Sequence, residues 1–455
     1  MNALPSESLE IAIQTAGGAV DLLRNSQRRA FSHGTVSGQF TNWQSEVHAW
    51  KDAVGFMDQS HHMVDHYVRG PGAFDLLSNL AVNSFKGFEP GMAKQFIATA
   101  PDGNYLGDCV LFYLGNEEFN LVGRPTSLDW VQYHVETGQW DVTTERDPQS
   151  MDRGGRPPVV YRYEIQGPLA GALMEKVTGA PIPEVKFFGM TDFQIAGKRV
   201  RALRHGMAGA VGFEIFGPWQ EGDAVREAIL SAGEEFGLLR VGSTAYSTAN
   251  LESGWVPGPL PAIFSQPELK GYREWLPAKA AGSVAGSFNS DNIEDFYVTP
   301  FDLGYDRIVK FDHDFIGAEA LQERARGPRR KKVTLVWDAD DMARVMSSAW
   351  RDGPKYKHFN MPKARYGLYQ MDEIMIGTQR AGISLDCGYL ANERKIVSLA
   401  VIDEAHSETG TEVTVLWGES PNSIKPQVEP HEQTQVKAVV APAPYGAHAR
   451  SVYRK

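Results

Sequence analysis

The sequence has little of what marks several large classes of protein. Its two cysteines, Cys109 and Cys387, lie far apart, so neither a disulfide framework nor a cysteine zinc site is indicated. No apolar run reaches the roughly 18 residues that a membrane helix needs, and the N-terminus shows no signal-peptide pattern. We therefore expect a soluble, cytoplasmic protein.

The charge balance and the missing nucleotide motifs narrow the function further. A net charge of -11 argues against a protein that coats nucleic acid, because such binding depends on Lys and Arg, but it allows a small anionic ligand held by one arginine. The chain has no G-x-S-x-G elbow, no G-x-x-x-x-G-K-[ST] loop and no G-x-G-x-x-G turn. The motifs that usually indicate a serine hydrolase, a nucleoside triphosphatase or a dinucleotide-binding protein are therefore missing.

Segment patterns predict an α+β protein with more than one domain. At 455 residues the chain is long enough for two or three cores, and helical segments alternate with hairpins rather than with single parallel strands. The basic segment 323–332 is interpreted as a solvated linker rather than a nucleic-acid patch. It separates residues 1–322 from a smaller β-rich domain, 333–455, in which apolar runs recur between turns.

Several local elements follow from hydrophobic periodicity. We predict a helix over 9–25 with an interruption at Gly17-Gly18, and a further helical pattern from Trp43 to Met57. Two aromatic and aliphatic runs, Asn104–Tyr113 and Glu118–Val122, predict a hairpin.

A glycine-rich segment followed by a strand pattern is the most distinctive stretch of the chain. Gly206, Gly209 and Gly212 suit a tight turn or a close approach of backbone to ligand. Glu214 then alternates with the apolar Phe213 and Ile215. A carboxylate at this position is either an ordinary exposed strand residue or a ligand-facing acceptor for N–H donors, and composition does not decide between them.

The densest cluster of possible metal ligands is His61, His62, Asp65 and His66. On a helix or a strand, His62 and His66 share a face, which suits a metal site, but the sequence marks no third remote ligand. Active-site hydrogen bonding and plain structural histidines are the other two interpretations, and hydrogen bonding is favoured.

Two further residues suit an aromatic acid as ligand. Arg124 ends a predicted hairpin strand, and its planar guanidinium matches a carboxylate, although an arginine there is usually exposed. Tyr246 belongs either to the core or to a proton-transfer site, since its phenol matches the proton affinity of a phenolate leaving group.

The order of several motifs resembles the aminomethyltransferase (glycine cleavage T-protein) family. The motifs are Gln166-Gly167-Pro168, Gly206 to Ile215, Leu251-Glu252-Ser253-Gly254, and Lys310 to Leu321 with its Asp314-Phe315-Ile316-Gly317 core. Within that family the chain is most similar to bacterial tetrahydrofolate-dependent aryl O-demethylases that act on vanillate or syringate. The similarity rests on Leu23 to Gln27, Asp58 to Asp65, Leu203 to Gly209 and Tyr272 to Ala278, and extends nearly end to end.

The resemblance implies three domains in a ring around folate, with two intertwined α+β domains in 1–322 and a jelly-roll-like last domain. It implies that Glu214 hydrogen-bonds the pterin ring. The implied folate neighbours are Gln95, Gln166, Phe188 and Trp255. Two departures from the aminomethyltransferase pattern, Gly107-Asp108 in place of an Asp-Asp pair and Arg124 in place of Asn, move the pocket from an aminomethyl donor towards an anionic one.

The function implied is methyl transfer from an aromatic methoxy group to N5 of tetrahydrofolate, without a metal. Tyr246 would donate a proton or hydrogen bond to the departing oxygen, and Arg124 would bind the substrate carboxylate. His62, with His61 and Gln59 near it, would orient the ring oxygens. Phe31 and His33 would form a pocket wall, and an apolar Phe31 favours syringate, since a second methoxy group prefers apolar contact.

Other functions stay open at this point. Vanillate or 3-O-methylgallate is the alternative main substrate. From other classes, a metal-dependent hydrolase or oxygenase would use the histidine cluster, and a folate-binding regulator would convert no methoxy-aromatic compound. The expected partners are tetrahydrofolate and the aromatic acid, with no nucleic acid or membrane, in a monomer or small homo-oligomer.

Overall fold

A computed structural model describes residues 7–28, 35–419 and 424–451, so the predicted pocket residues Phe31 and His33 lie outside the described residues. Its α-helices are α1 (Leu9–Ala16), α2 (Ala19–Arg24), α3 (Trp43–Asp52), α4 (Ala73–Asn79), α5 (Pro125–Thr137), α6 (Ala170–Thr178), α7 (Gly222–Gly233), α8 (Ser243–Tyr246), α9 (Ala249–Ser253), α10 (Lys270–Trp275), α11 (Ala318–Arg324), α12 (Ala339–Ser347) and α13 (Ala447–Ser451). Its strands are β1 (Val54–Asp58), β2 (Val64–Arg69), β3 (Met92–Thr99), β4 (Tyr105–Gly115), β5 (Glu118–Gly123), β6 (Thr143–Asp147), β7 (Val160–Gln166), β8 (Met190–Ile195), β9 (Lys198–Leu203), β10 (Gly212–Pro218), β11 (Leu238–Val241), β12 (Val284–Ala285), β13 (Arg330–Trp337), β14 (Tyr369–Gln370), β15 (Asp372–Ile376), β16 (Gln379–Leu390), β17 (Lys395–Asp403), β18 (Glu412–Trp417) and β19 (Thr434–Ala441).

Two sheets alternate along the N-terminal part of the chain. The first has the order β3-β4-β5-β2-β6, and the second has the order β11-β1-β7-β10-β9-β8. The chain enters the second sheet at β1, builds the first with β2 to β6, and returns with β7 to β11. The first sheet is therefore inserted in the chain between β1 and β7 of the second.

The second sheet separates an apolar face from a polar one. In β7, Tyr161, Tyr163 and Ile165 pack into the core that α6 and α7 cover, while the residues between them face the other way. β10 lies beside β7 with Glu214 opposite Glu164. The strand pairing therefore brings charged side chains together on the face turned away from the helices.

The C-terminal strands form a closed antiparallel barrel in the order β13-β17-β16-β15-β18-β19. Trp337, Phe359 and Trp417 fill its interior with edge-on ring contacts. The barrel is the β-rich unit expected from the sequence, and closure leaves no exposed sheet edge. Its first strand begins at Arg330, inside the segment 323–332.

Two sequence-based boundaries were wrong. The predicted linker is shorter, because α11 runs to Arg324 and the residues from Arg330 pair with β17. The helical pattern from Trp43 to Met57 ends at Asp52, because the residues from Val54 pair with β7 and β11 instead. Strand pairing in the middle of a sheet outweighs helical periodicity there. No helix in the described ranges is long and apolar enough to cross a membrane.

Candidate active site

A cavity of about 690 Å³ lies where the two sheets and the C-terminal domain meet. The first unit lines it with residues of β3, β4 and β5, and the second with residues around β1 and β10. The segment from Tyr246 to Pro257 and a loop of the C-terminal domain, which carries Lys363 and Arg365, complete the wall. All three units of the fold therefore contribute to one cavity.

Beside this cavity, a buried ion-pair network ties the two sheets together. Arg162 on β7 is 2% exposed and donates hydrogen bonds to Asp65 Oδ1 at 2.9 Å and to Glu214 Oε1 at 2.6 Å. Its guanidinium also lies over the Phe216 ring, 5.0 Å from the centroid. Since Asp65 belongs to β2 and Glu214 to β10, one arginine neutralises a carboxylate from each unit.

Glu214 remains a carboxylate acceptor in this setting. Burial raises its pKa, but Arg162 and His205 outweigh burial and leave the pKa below its ordinary value. Its Oε2 lies 3.7 Å from His205 Nδ1, which is longer than a hydrogen bond. An ionised oxygen at the cavity wall therefore has acceptor capacity for a ligand N–H group.

A second buried acid, Glu164, organises the side chains around it. It accepts hydrogen bonds from the amides of Gln59 and Gln166 and from the Met207 backbone N–H group. Burial raises the pKa of Glu164 well above its ordinary value, and the nearby Glu214 adds to the effect. Glu164 thereby fixes Gln59 on one side and the glycine-rich loop on the other.

Tyr246 sits in a hydrogen-bonded cluster at the cavity wall. Its hydroxyl lies 3.2 Å from His62 Nε2 and accepts a hydrogen bond from Gln59 Nε2 at 3.3 Å. The rings of Tyr246 and His62 meet edge to face with centroids 5.2 Å apart. Burial raises the pKa of Tyr246 well above its usual value, and Glu164 adds to the effect. The phenol therefore keeps its proton at neutral pH.

Asp108, on β4, accepts hydrogen bonds from three side chains that line the cavity. Its Oδ2 accepts hydrogen bonds from Gln95 Nε2 at 2.9 Å, Trp255 Nε1 at 3.1 Å and the Tyr305 hydroxyl at 2.6 Å. Three donors on one oxygen hold the indole and phenol rings in fixed positions along the cavity. Asp108 is the acid of the Gly107-Asp108 pair, which stands where the aminomethyltransferase pattern has an Asp-Asp pair.

Arg124 lies at the junction of β5 and α5, as the residue that precedes Pro125. Its Nη1 donates to the Pro257 carbonyl at 3.1 Å, and a Cβ at Gly258 would lie only 2.6 Å from that nitrogen. A side chain at 258 would therefore displace this guanidinium, and the φ of +62° at Gly258 also favours glycine there. Burial, and then the neighbouring Arg365, lower the pKa of Arg124 to about 10.

Most of the predicted site residues meet in this cavity. Those that line it are Gln59, His62, Gln95, Arg124, Phe188, Glu214, Tyr246 and Trp255. Gln166 does not line it, because its wholly buried amide is held between Glu164 and the Ala208 N–H group behind the glycine-rich loop. His61 also lies elsewhere, bonded to Ser150 Oγ at 2.8 Å and packed on Trp219.

The histidine cluster is split by the fold. His61 and His62 precede β2, and only His62 reaches the cavity. Asp65 turns to Arg162, while His66 points into the core, where burial lowers its pKa to about 3. Within the described ranges, no three His, Cys, Asp or Glu side chains assemble into a group that could hold a metal ion.

Sequence reasoning missed several residues of the site. Arg162 and Glu164 carried a readable signal, because charged residues alternate with aromatic ones in β7, as on a strand with one polar face. Asp108 was noted only as a departure from a family pattern. Lys363 and Arg365 carried no local signal, since their loop reaches the cavity only through the tertiary fold.

Comparisons with known proteins agree with this architecture. A family model described as the GCVT N-terminal domain matches residues 18–257. The chain is 45% identical over 453 residues to syringate O-demethylase from Sphingobium sp. (strain NBRC 103272 / SYK-6), covering 98% of each chain. It is 29% identical to sesamin methylene transferase from Sinomonas sp. (strain No.22), over 86% of this chain and 87% of that protein.

A solved structure shares the fold. It is the glycine cleavage system aminomethyltransferase T from Bartonella henselae, with a TM-score of 0.60, 18% identity and 90% coverage of both chains. The family model spans more than half of the chain, and the 45% identical relative matches it nearly end to end. The protein therefore belongs to the aminomethyltransferase (glycine cleavage T-protein) family and is a tetrahydrofolate-dependent methyltransferase.

Proposed function

We propose that this protein demethylates a methoxylated aromatic acid, with syringate as the favoured substrate, and transfers the methyl group to N5 of tetrahydrofolate. The products are 5-methyltetrahydrofolate and the corresponding phenol. The methyl–oxygen bond breaks, the methyl–nitrogen bond forms, and the proton lost from N5 balances the proton gained by the phenol. The observation that carries the proposal is one cavity lined both by an ionised carboxylate, Glu214, which can accept N–H donors, and by a proton-bearing phenol, Tyr246.

The donor and acceptor groups of the cavity fit tetrahydrofolate. A pterin presents N–H donors along one edge, and the ionised Glu214 has acceptor capacity for them. Phe188, Phe187 and His205 form a cluster of rings beside it, with centroids 4.7 Å and 5.2 Å from that of Phe188. When bound, tetrahydrofolate supplies the N5 lone pair that accepts the methyl group.

Tyr246 would act on the ether oxygen. A phenolate is a poor leaving group, so a donor aimed at the oxygen that gains charge lowers the barrier. The raised pKa of Tyr246 keeps its proton available for this hydrogen bond. His62 and Gln59 hold the hydroxyl from two sides and would orient the oxygens of the ring. Gln59 Oε1 has no hydrogen-bond partner among the described residues, which suits a substrate hydroxyl beside the methoxy group.

Arg124 would hold the carboxylate of the aromatic acid. Its side chain is half-buried beside the cavity, and its hydrogen bond to Pro257 fixes one end of the guanidinium. A fixed guanidinium fork recognises a carboxylate with two parallel hydrogen bonds. Syringate, rather than vanillate or 3-O-methylgallate, is favoured by the similarity to a protein named syringate O-demethylase.

The test is a product assay with purified protein, tetrahydrofolate and one aromatic acid at a time under anaerobic conditions with a chelator present. Syringate, vanillate and 3-O-methylgallate are compared. We expect equal amounts of the demethylated phenol and 5-methyltetrahydrofolate, formed fastest from syringate. Faster turnover of either other acid would change the preferred substrate. Folate binding without turnover would instead support a regulator, and activity that needs a metal would refute the mechanism.

A further inference from the structure

Two arginines from different domains line the same cavity. Arg124 comes from the N-terminal half, and Arg365 comes from the loop between α12 and β14 of the C-terminal domain. Among the neighbouring charges, Arg365 has the largest effect on the pKa of Arg124 and lowers it. Two like charges near each other in a partly buried cavity repel, so an anion bound between them would be stabilised.

The loop that carries Arg365 is held on both sides. Before it, Ala364 N–H donates to the Cys387 carbonyl at 3.3 Å on β16. After it, the Leu368 N–H group donates to Ser283 Oγ at 2.9 Å, and Tyr369 pairs with Val284 in a short ladder between β12 and β14. The Arg365 guanidinium donates back to the Leu368 carbonyl. These contacts hold the Arg365 side chain in one orientation before a ligand binds.

Within the described ranges, no carboxylate lies within 4.0 Å of Arg124 or Arg365, although Asp386 acts on Arg124 from farther away. The nearby Asp386 is partly engaged, since its Oδ2 accepts from Lys363 Nζ and Asn250 Nδ2, each at 2.5 Å. Among the described residues, neither the buried Asp386 Oδ1 nor the buried Arg365 Nε has a hydrogen-bond partner. The two arginines therefore retain both charge and donor capacity for a ligand.

A third arginine adds to the positive potential at Tyr369. Arg28 and the two cavity arginines all act on the buried Tyr369, where burial raises the phenol pKa and the three charges oppose that rise. Tyr369 itself is buried, at 7% exposed. The positive potential from these arginines suits an anionic ligand.

We propose that Arg124 and Arg365 form one carboxylate site, shared between the N-terminal and C-terminal domains, and that Arg365 determines the preference for aromatic acids over neutral aromatic ethers. The inference rests on the proposed function for the identity of the reaction. A carboxylate at this place has two possible sources, the aromatic acid and the glutamate of folate. The aromatic acid is favoured because its carboxylate is fixed on the rigid ring that carries the methoxy group, and both arginines line the same cavity as Tyr246.

The test compares syringate with 4-hydroxy-3,5-dimethoxybenzaldehyde, which keeps the ring and methoxy groups but lacks the charge. The variants are Arg365→Met and Arg365→Lys, with Arg351→Met as a matched control because Arg351 is an exposed arginine of the same domain. We expect Arg365→Met to raise the KM for syringate about 10- to 100-fold while leaving the aldehyde nearly unchanged. Arg365→Lys should recover part of the loss, since it restores the charge without the planar fork.

Two kinetic outcomes would overturn the proposal. Equal losses for the acid and the aldehyde would make Arg365 a structural residue. A raised KM for tetrahydrofolate, without a change for syringate, would place the folate glutamate at the site; 6-methyltetrahydropterin, which lacks glutamate, is the acceptor that separates this case. If the wild-type protein turned over no methoxy-aromatic, syringate binding measured by calorimetry would still test the site, so failure of the reaction is distinguishable from failure of the inference. Loss of binding only in Arg365→Met would then support the carboxylate site.

Discussion

Removing Arg162 should destabilise the protein more than any ordinary surface substitution. In Arg162→Met the side-chain volume is roughly kept, but Asp65 and Glu214 lose the cation that neutralises them. Both acids are almost wholly buried, with side chains 8% and 5% exposed. Breaking a buried ion pair by removing one partner typically costs about 3–5 kcal/mol, because a charge is left buried and uncompensated.

The assay is urea denaturation of the wild type, Arg162→Met and a control, Arg199→Met. Arg199 forms an ion pair with Asp192 on the same sheet, but the pair is exposed. Screening by solvent makes such a pair nearly neutral for stability, so the control should unfold like the wild type. Arg162→Met should lose about 3–5 kcal/mol of unfolding free energy at pH 7. Equal unfolding curves for all three proteins would refute the assigned role of Arg162.

The loss should also depend on pH in a definite direction. In the wild type the pKa of Glu214 is lowered, so its stabilising contribution is present above the unfolded value of about 4.3 and disappears as the pH falls through the folded value. Without Arg162, burial acts with less opposition and raises the pKa of Glu214. The variant can then relieve the buried charge by taking up a proton. The difference in unfolding free energy between the wild type and Arg162→Met should therefore be largest near neutral pH and shrink towards pH 4. A difference that grew on acidification would contradict the reasoning.

Three further predictions follow from buried groups. Tyr246→Phe should reduce kcat about 10²- to 10³-fold, as loss of one preorganised donor does, with little change in tetrahydrofolate binding; full activity in single-turnover assays would remove its role. Burial lowers the pKa of His66 to about 3, so the wild type should lose stability as the pH falls from 6.5 towards 3, and His66→Leu should flatten that dependence in denaturation curves. Burial raises the pKa of both Cys109 and Cys387, so a colourimetric thiol reagent should label neither in the native protein and both after unfolding; rapid native labelling would show that one is exposed.

The fold was predictable where local pattern and tertiary context agree. The hairpin of β4 and β5, the break of the first helix at Gly17-Gly18 and the strand at Glu214 follow from alternation and glycine conformation. The boundary at Asp52 was not predictable in this way, because helical spacing continues into residues that a sheet recruits as a central strand. Local periodicity carries no information about which neighbour a segment will find.

The same contrast between local pattern and tertiary contacts applies to the residues of the site. Glu214 and Tyr246 were identified from the chemistry of their residue types and from family resemblance, whereas Arg162 was not, although it neutralises Glu214. Glu164 escaped notice because a fully buried acid is improbable on composition alone. Arg365 depends on the packing of the C-terminal domain against the rest. Residues that support a reactive group are therefore harder to find than the group itself, since their role lies in contacts between distant parts of the chain.

The environment of Tyr246 limits what this residue can do. Two buried acids, Glu164 and Glu214, act on it in the same direction as burial, and all three effects disfavour a tyrosinate. A phenol held in this way donates a hydrogen bond but does not readily lose its proton, because complete transfer of the proton would leave a buried negative charge near the ionised Glu214. Stabilisation of the departing oxygen by a hydrogen bond therefore fits the geometry better than full protonation in the transition state. His62, 3.2 Å from the hydroxyl, is then placed to receive or return the proton after the methyl–oxygen bond has broken.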